Sequence, residues 1–227
     1  MDGRTLSFFA RKRGAALFGA VFDMLALADA ASAQTVAFGK ENVGFPPKDF
    51  EFGLAGEGGP GVWEVVRDHT AFRGKALTEL TINPAAYRFL VAIYNPVVAA
   101  NVQVTTRCKP VSGKVDQACG LIVRTVDEKN YYIARANALE NNVRFYRVRN
   151  GKRQQLATAD VRVTSDEWHT LSLRAEGNRF TVIFNEKQLY TTLDTTPPPR
   201  PAEGRVGFWT KSDSVTRFDH LEIQVLP

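Results

Sequence analysis

The sequence predicts an all-β protein in which two antiparallel sheets pack face to face as a jelly-roll sandwich. Three observations carry that expectation. Beyond residue 34, nearly every apolar pattern repeats at every second residue, and no stretch repeats at helical spacing. Turn signals recur about every 8–12 residues, the spacing of a sandwich or barrel. The clearest hairpin has one greasy side, which another sheet must cover.

The first 33 residues stand apart. Arg11, Lys12 and Arg13 precede the apolar run GAALFGAVF, and ASA closes at Ala33 before Gln34. A charged start, a greasy middle and a small-residue exit describe a secretory signal helix over residues 1–33, with the mature domain spanning 34–227. Asp23 is out of place in such a segment. The run is too short to span a bilayer, and no later segment could. The expectation is therefore an exported protein, periplasmic or extracellular, with no membrane span once the leader is removed.

In the first half FEFGL and GVWEVV read as strands split by the loop AGEGGPG, followed by ALTELTI, RFLVAIY and NVQVTTRC. The second half supplies GLIVRTV, YYIARANA, NVRFYRVR, WHTLSLRAE, RFTVIFN, KQLYTTL, RVGFWTK and HLEIQVL. RNGK, EGNR and NEK suit hairpin turns, because Asn and Gly tolerate positive φ. In HTLSLRAE, Leu171, Leu173 and Ala175 share a face; in RFTVIFN, Phe180, Val182 and Phe184 do. TTPPPRP lacks N–H donors and reads as a stiff surface loop.

The chain has two cysteines. If VQVTTRC and CGLIVR pair antiparallel, Cys108 and Cys119 face each other across the ladder, where opposed Cα atoms lie roughly 4.5–5.5 Å apart, within disulfide reach. An oxidising compartment would let that bridge persist. The formal charge of +5 and pI near 9.3 suit mild attraction to anions. The charge is too small and too dispersed for a nucleic-acid surface. A monomer is expected.

The blocks NYY-x-x-RANA, EWH-x-L and GRVGFWTK-x-DS, in this order after a Gly-rich loop and W-E-V, resemble the bacterial concanavalin A-like (laminin-G-like) jelly-roll domains. The likeness covers about residues 45 to 225 and is nearest to the secreted branch labelled keto-disaccharide hydrolase or family 16 glycoside hydrolase-like. It implies a two-sheet fold and either sugar binding or sugar chemistry. It also implies a structural calcium on the convex side, to which Asp219 could give one oxygen, with carbonyls near GFPPKDF completing the shell. No cofactor is required by the residues themselves.

Sugar hydrolysis usually needs two carboxylates about 5–10 Å apart across a cleft. The Glu-x-Asp-x-Glu strand of true family 16 enzymes is absent; Asp49 and Glu51 in KDFEF are best read as an exposed edge. The three histidines are scattered, and His169 shares the parity of Leu171, which makes it an inner histidine. No catalytic residue can be named. In YYIARANA, Tyr131, Ile133, Arg135 and Asn137 share one face, with Arg124 and Tyr146 on neighbouring strands. Forked donors and flat rings suit sugar hydroxyls and C–H faces. Arg124, Arg135, Asn137, Tyr146 and Trp209 are therefore the candidate carbohydrate ligands on a concave sheet face, in a module that binds without cleaving. A glycosidase-like enzyme acting on a modified disaccharide is the alternative. Parity in NVRFYRVR leaves open whether Phe145 or Tyr146 is buried. The basic run Arg144, Arg147, Arg149, Lys152, Arg153 fits an anionic polysaccharide or a solvated hairpin tip equally.

Overall fold

The computed structural model describes residues 1–3, 33–198 and 200–227. The leader expectation lies outside the described residues. Among the described residues, sixteen strands run in chain order as β1 (Ala33–Ala37), β2 (Phe50–Gly56), β3 (Trp63–Arg67), β4 (Lys75–Glu79), β5 (Arg88–Ala99), β6 (Val102–Ser112), β7 (Ala118–Asp127), β8 (Asn130–Asn137), β9 (Asn142–Arg149), β10 (Lys152–Asp160), β11 (His169–Glu176), β12 (Arg179–Phe184), β13 (Lys187–Leu193), β14 (Gly204–Lys211), β15 (Val215–Phe218) and β16 (His220–Val225). They form two antiparallel sheets. One has seven strands in the order β10-β9-β8-β7-β14-β5-β2. The other has nine, ordered β13-β12-β11-β6-β15-β4-β3, with β16 pairing both β6 and β1. Among the described residues no helix is long and apolar enough to cross a membrane.

The inner faces of the sheets meet in one core. Tyr132, Phe145 and Phe180 pack with centroids 4.5–6.0 Å apart, and Phe208 stacks on Phe218 at 4.5 Å. Leu171, Leu173 and Ala175 of β11 and Phe180, Val182 and Phe184 of β12 all point inward, as their alternation requires. His169 is buried with them: Thr164 N–H donates to its Nε2, and its ring lies 5.1 Å from Phe184. At the turns, Asn150, Gly151, Gly177, Asn185 and Glu186 all adopt positive φ. The short β1 and β15 and the longer β10 were not foreseen; β10 (KRQQLATAD) is too polar to show apolar alternation.

The cysteine expectation is corrected in its geometry. Cys108 and Cys119 form a disulfide with Cα atoms 6.3 Å apart. They do not face each other across a ladder, because β6 belongs to the nine-stranded sheet and β7 to the seven-stranded one. The strand β6 runs on through Ser112 instead of turning at Lys109, so residues 113–117 carry the chain from one sheet to the other. The bridge therefore ties the two layers together through the core.

Candidate functional site

The outer face of the seven-stranded sheet is not a bare polar surface. A second apolar cluster lies there, made by Phe89, Val91, Ile122, Tyr131, Ile133, Tyr146, Val148 and Trp209 among others, separate from the inter-sheet core. The central strands bury both faces, so their apolar residues run without alternation. Strand register sets one row across this face: Arg144, Arg135, Gly120, Trp209, Val91 and Gly53. Arg135 and Trp209 thus flank a glycine. A Cβ at Gly120 would come within 3.3 Å of the Arg135 Cβ and 3.1 Å of Ile133, so the bare backbone leaves room for the large side chains on either side.

Trp209 stacks on Phe89 at 5.7 Å and donates its indole N–H to Tyr131 Oη at 3.0 Å. Arg135 is buried; it donates to Asn142 Oδ1 at 3.0 Å and Glu140 Oε2 at 2.9 Å, while its Nε has no partner. Asn137 Nδ2 bridges two carboxylates, donating to Asp116 Oδ1 at 2.5 Å and Glu140 Oε1 at 3.3 Å. Its Oδ1 accepts from the backbone N–H groups of Leu139 and Glu140. Lys211 pairs with the other oxygen of Asp116. Asp213 anchors this corner by accepting from the N–H groups of Lys114, Val115 and Asp116.

These two carboxylates titrate in opposite directions. Burial pushes Asp116 above the usual carboxylate range, although Lys211 and Arg135 pull it down. Burial also acts upward on Glu140, but the hydrogen bond and charge of Arg135, with Asn142 and Arg144, hold it below that range. Asp116 is 1% exposed, whereas the Glu140 side chain is 34% exposed.

Above the buried row lies a cleft of about 390 Å³ lined by Tyr87, Phe89, Tyr146, Lys152, Arg153 and Gln155. The Arg153 guanidinium stands 4.3 Å from the Phe89 ring centre and 5.0 Å from that of Tyr146. Of the sequence candidates, Arg135, Asn137, Tyr146 and Trp209 therefore share this face, mostly as its floor; Tyr146 alone lines the cleft. The Phe145 ambiguity resolves with Phe145 inward and Tyr146 outward.

Arg124 does not join them. It has a positive φ of 51° at a register shift between Val123 and Asp127. The bulge swings its side chain to Phe180, a core residue, at 5.2 Å, and Nε donates to Ala100 O. The residues that sequence reasoning passed over are Asp116, Glu140, Lys211 and Phe89; only the unbroken apolar run RFLVAIY hinted at a covered outer face.

Asp219 does not fit a calcium shell. It is fully buried; its oxygens bond Phe72 N–H and His220 Nδ1, and the Arg107 guanidinium pairs with it 3.3 Å away. None of its partners comes from the GFPPKDF segment, and an adjacent arginine opposes a divalent cation. Among the described residues no group of three or more His, Cys, Asp or Glu side chains is placed to hold a metal ion. Asp49 and Glu51 flank Phe50 at the exposed edge strand β2, where Glu51 pairs with Arg205. A wider cleft of about 830 Å³ opens on the nine-stranded sheet beside Trp168; two of its three Lys/Arg side chains, Lys109 and Arg217, are committed to Asp68 at 2.7 Å.

Fold and face together define a two-sheet jelly-roll domain with a buried polar and aromatic network under an open cleft. The chain belongs to the family of 3-keto-alpha-glucoside-1,2-lyase-like domains, whose model matches residues 90–224, more than half of the sequence. No curated protein matches it in sequence. Among solved structures it is similar to a carbohydrate-binding module, CBM66, from Bacillus subtilis, with a TM-score of 0.56 and 19% identity over 74% of this chain and 91% of that one. It is similar too to the exoplasmic/lumenal domain of VIP36 in a Ca2+/Man3GlcNAc-bound form, with a TM-score of 0.55 and 11% identity over 85% and 88%. Domain 4 of AbnA, an extracellular arabinanase from Geobacillus stearothermophilus in complex with arabinotriose, gives 0.53 and 12% over 84% and 90%. At these identities the likeness concerns the fold.

Proposed function

We propose that this protein binds a carbohydrate in the cleft on the outer face of its seven-stranded sheet, and binds it without breaking it. The observation that carries this reading is the pairing of aromatic rings with forked polar groups there. Phe89 and Tyr146 form a largely buried aromatic floor to the cleft, and Arg135, Asn142 and Glu140 hold a rigid hydrogen-bonding array beside them. Sugars present both C–H faces and paired hydroxyls, so such a surface suits them. Arg135, Asn137 and Trp209 act as the buried support that fixes Tyr146 and Glu140. The similar folds of a carbohydrate-binding module and of an arabinotriose-bound domain lend the same support. The donors and acceptors on this face are side chains. A disulfide through the core suits an exported, oxidised setting.

A glycan array with the full chain tests the reading. Tyr146→Ala should abolish the signal, with circular dichroism confirming that the variant of this largely buried ring still folds. Signal that survives in Tyr146→Ala, or no signal for any glycan, counts against this site.

One observation favours a second reading, a lyase or hydrolase of the family's kind. Asp116 and Glu140 converge on Asn137 Nδ2 with pKa values displaced in opposite directions, the pattern of an acid and a base. The burial of Asp116 weighs against substrate contact. Release of product from a keto-disaccharide that disappears in Glu140→Gln would favour catalysis over binding.

A further inference from the structure

Arg153 lies on β10 opposite Val148, on the same face as Tyr131 and Tyr146. Three rings surround its guanidinium: Phe89 at 4.3 Å, Tyr146 at 5.0 Å and Trp209 at 5.9 Å. Burial lowers its pKa, the sign of a cation poorly solvated by its surroundings. Yet among the described residues no acceptor and no carboxylate pairs with it. Several other arginines differ. Arg135 holds Glu140, Arg147 holds Asp194, Arg205 holds Glu51 and Arg217 holds Asp68.

The local charge is unbalanced in the same sense. Asp116 is taken by Lys211 and Asn137, and Glu140 by Arg135 and Arg144. Lys152 and Arg153 are left at the cleft without an opposing carboxylate. Aromatic rings attract the guanidinium but do not saturate it. A cation–π contact engages the flat face of the ion, while the five N–H donors point outward in its plane. A half-buried cation with unused donors gains from an anion that completes it, and the fork of Arg suits two oxygens of one acidic group.

We infer that the cleft selects an acidic carbohydrate, one bearing a carboxylate or a sulfate that Arg153 grips through its guanidinium edge, with Lys152 as the second cation. This rests on the carbohydrate reading above and names the ligand class for that site. The ring of the sugar lies against Tyr146, and the acidic group supplies the charge that the protein lacks there. Arg153 is thus the residue that sets specificity, and Arg135 and Trp209 hold its aromatic bed in place.

The test applies the full chain to an array pairing neutral glycans with their uronate and sulfated counterparts. Titration calorimetry follows on each pair that gives signal. The expected result is binding to acidic members, at least about tenfold tighter than to the matched neutral glycan, as one charge-assisted contact provides. Arg153→Gln should erase that preference. Arg153→Lys, which keeps the charge and loses the fork, should retain part of it and serves if the Gln variant misfolds. Arg67→Gln, an exposed charge on β3 at the opposite edge of the other sheet from β13, should leave binding unchanged. The uronate and sulfate arms tell which acidic group is preferred. Equal binding of neutral and acidic members, or an acidic preference that persists in Arg153→Gln and Arg153→Lys alike, overturns this inference and leaves the carbohydrate reading standing. Silence across the whole array overturns both.

Discussion

Single positions on the seven-stranded sheet show how closely backbones approach beneath the cleft. Gly207 of β14 lies beside β5, and a Cβ there would stand 2.1 Å from the carbonyl oxygen of Ala92. Gly207→Ala should cost about 3 kcal/mol or more, because backbone on both sides must move. Chemical denaturation checks this, and a variant as stable as the parent would show that the two strands can part cheaply. Parity assigned Arg135 and Asn137 to one face of β8 correctly, because that strand is regular from Asn130 to Asn137. It misassigned Arg124 because a bulge at one residue resets the alternation, and nothing in GLIVRTV marks the bulge. It could not choose between Phe145 and Tyr146 because both sides of β9 are covered with apolar groups, so period two carries no information there. Asp116 and Glu140 were passed over because each lies in a connecting segment, and only the fold brings them to a shared amide.

Among the elements, β6 and β7 had the most consequential misreading. Their cysteines bond as expected, yet across the layers and not along a ladder. Replacing both with alanine should lower stability by about 2–4 kcal/mol under oxidising conditions. Reducing agent should destabilise the parent by a similar amount and leave the double variant unmoved. A thermal melt with and without reductant measures both, and equal melts for the two proteins would show that the bridge adds nothing. The hairpin β11–β12 was readable because its turn is short and its strands alternate cleanly. The strand β10 was invisible because it carries few apolar residues, although it brings Arg153 over the rings of Phe89 and Tyr146.

For the molecule as a whole, acid stability turns on Asp68. Burial acts to raise its pKa, but hydrogen bonds from Lys109, Thr70 and Arg217 outweigh this and hold it well below the usual range. A carboxylate depressed in the folded state adds stability above its unfolded value of about 4, and loses that contribution as pH falls through the folded value. Unfolding free energy should therefore drop steeply below about pH 4. Asp68→Asn should lower stability at neutral pH by about 2–3 kcal/mol and flatten the acid limb. Urea midpoints across pH test this, and parallel curves for the two proteins would assign the acid sensitivity elsewhere. The all-β class and the two layers were legible throughout, because alternation and turn spacing are local properties. How the layers share strands was not, since the jelly-roll path depends on pairings far apart in the chain.

One such pairing joins β1 to β16, with Ala33 opposite Gln224 and Ala37 opposite His220. The strand that leaves the ribosome early thus has to wait for one made much later. Until synthesis reaches that point, its backbone amides have no mate and the layer stays open at that seam. The sandwich therefore cannot seal before β16 is made, and a nascent chain stalled before residue 220 should be a species prone to clump.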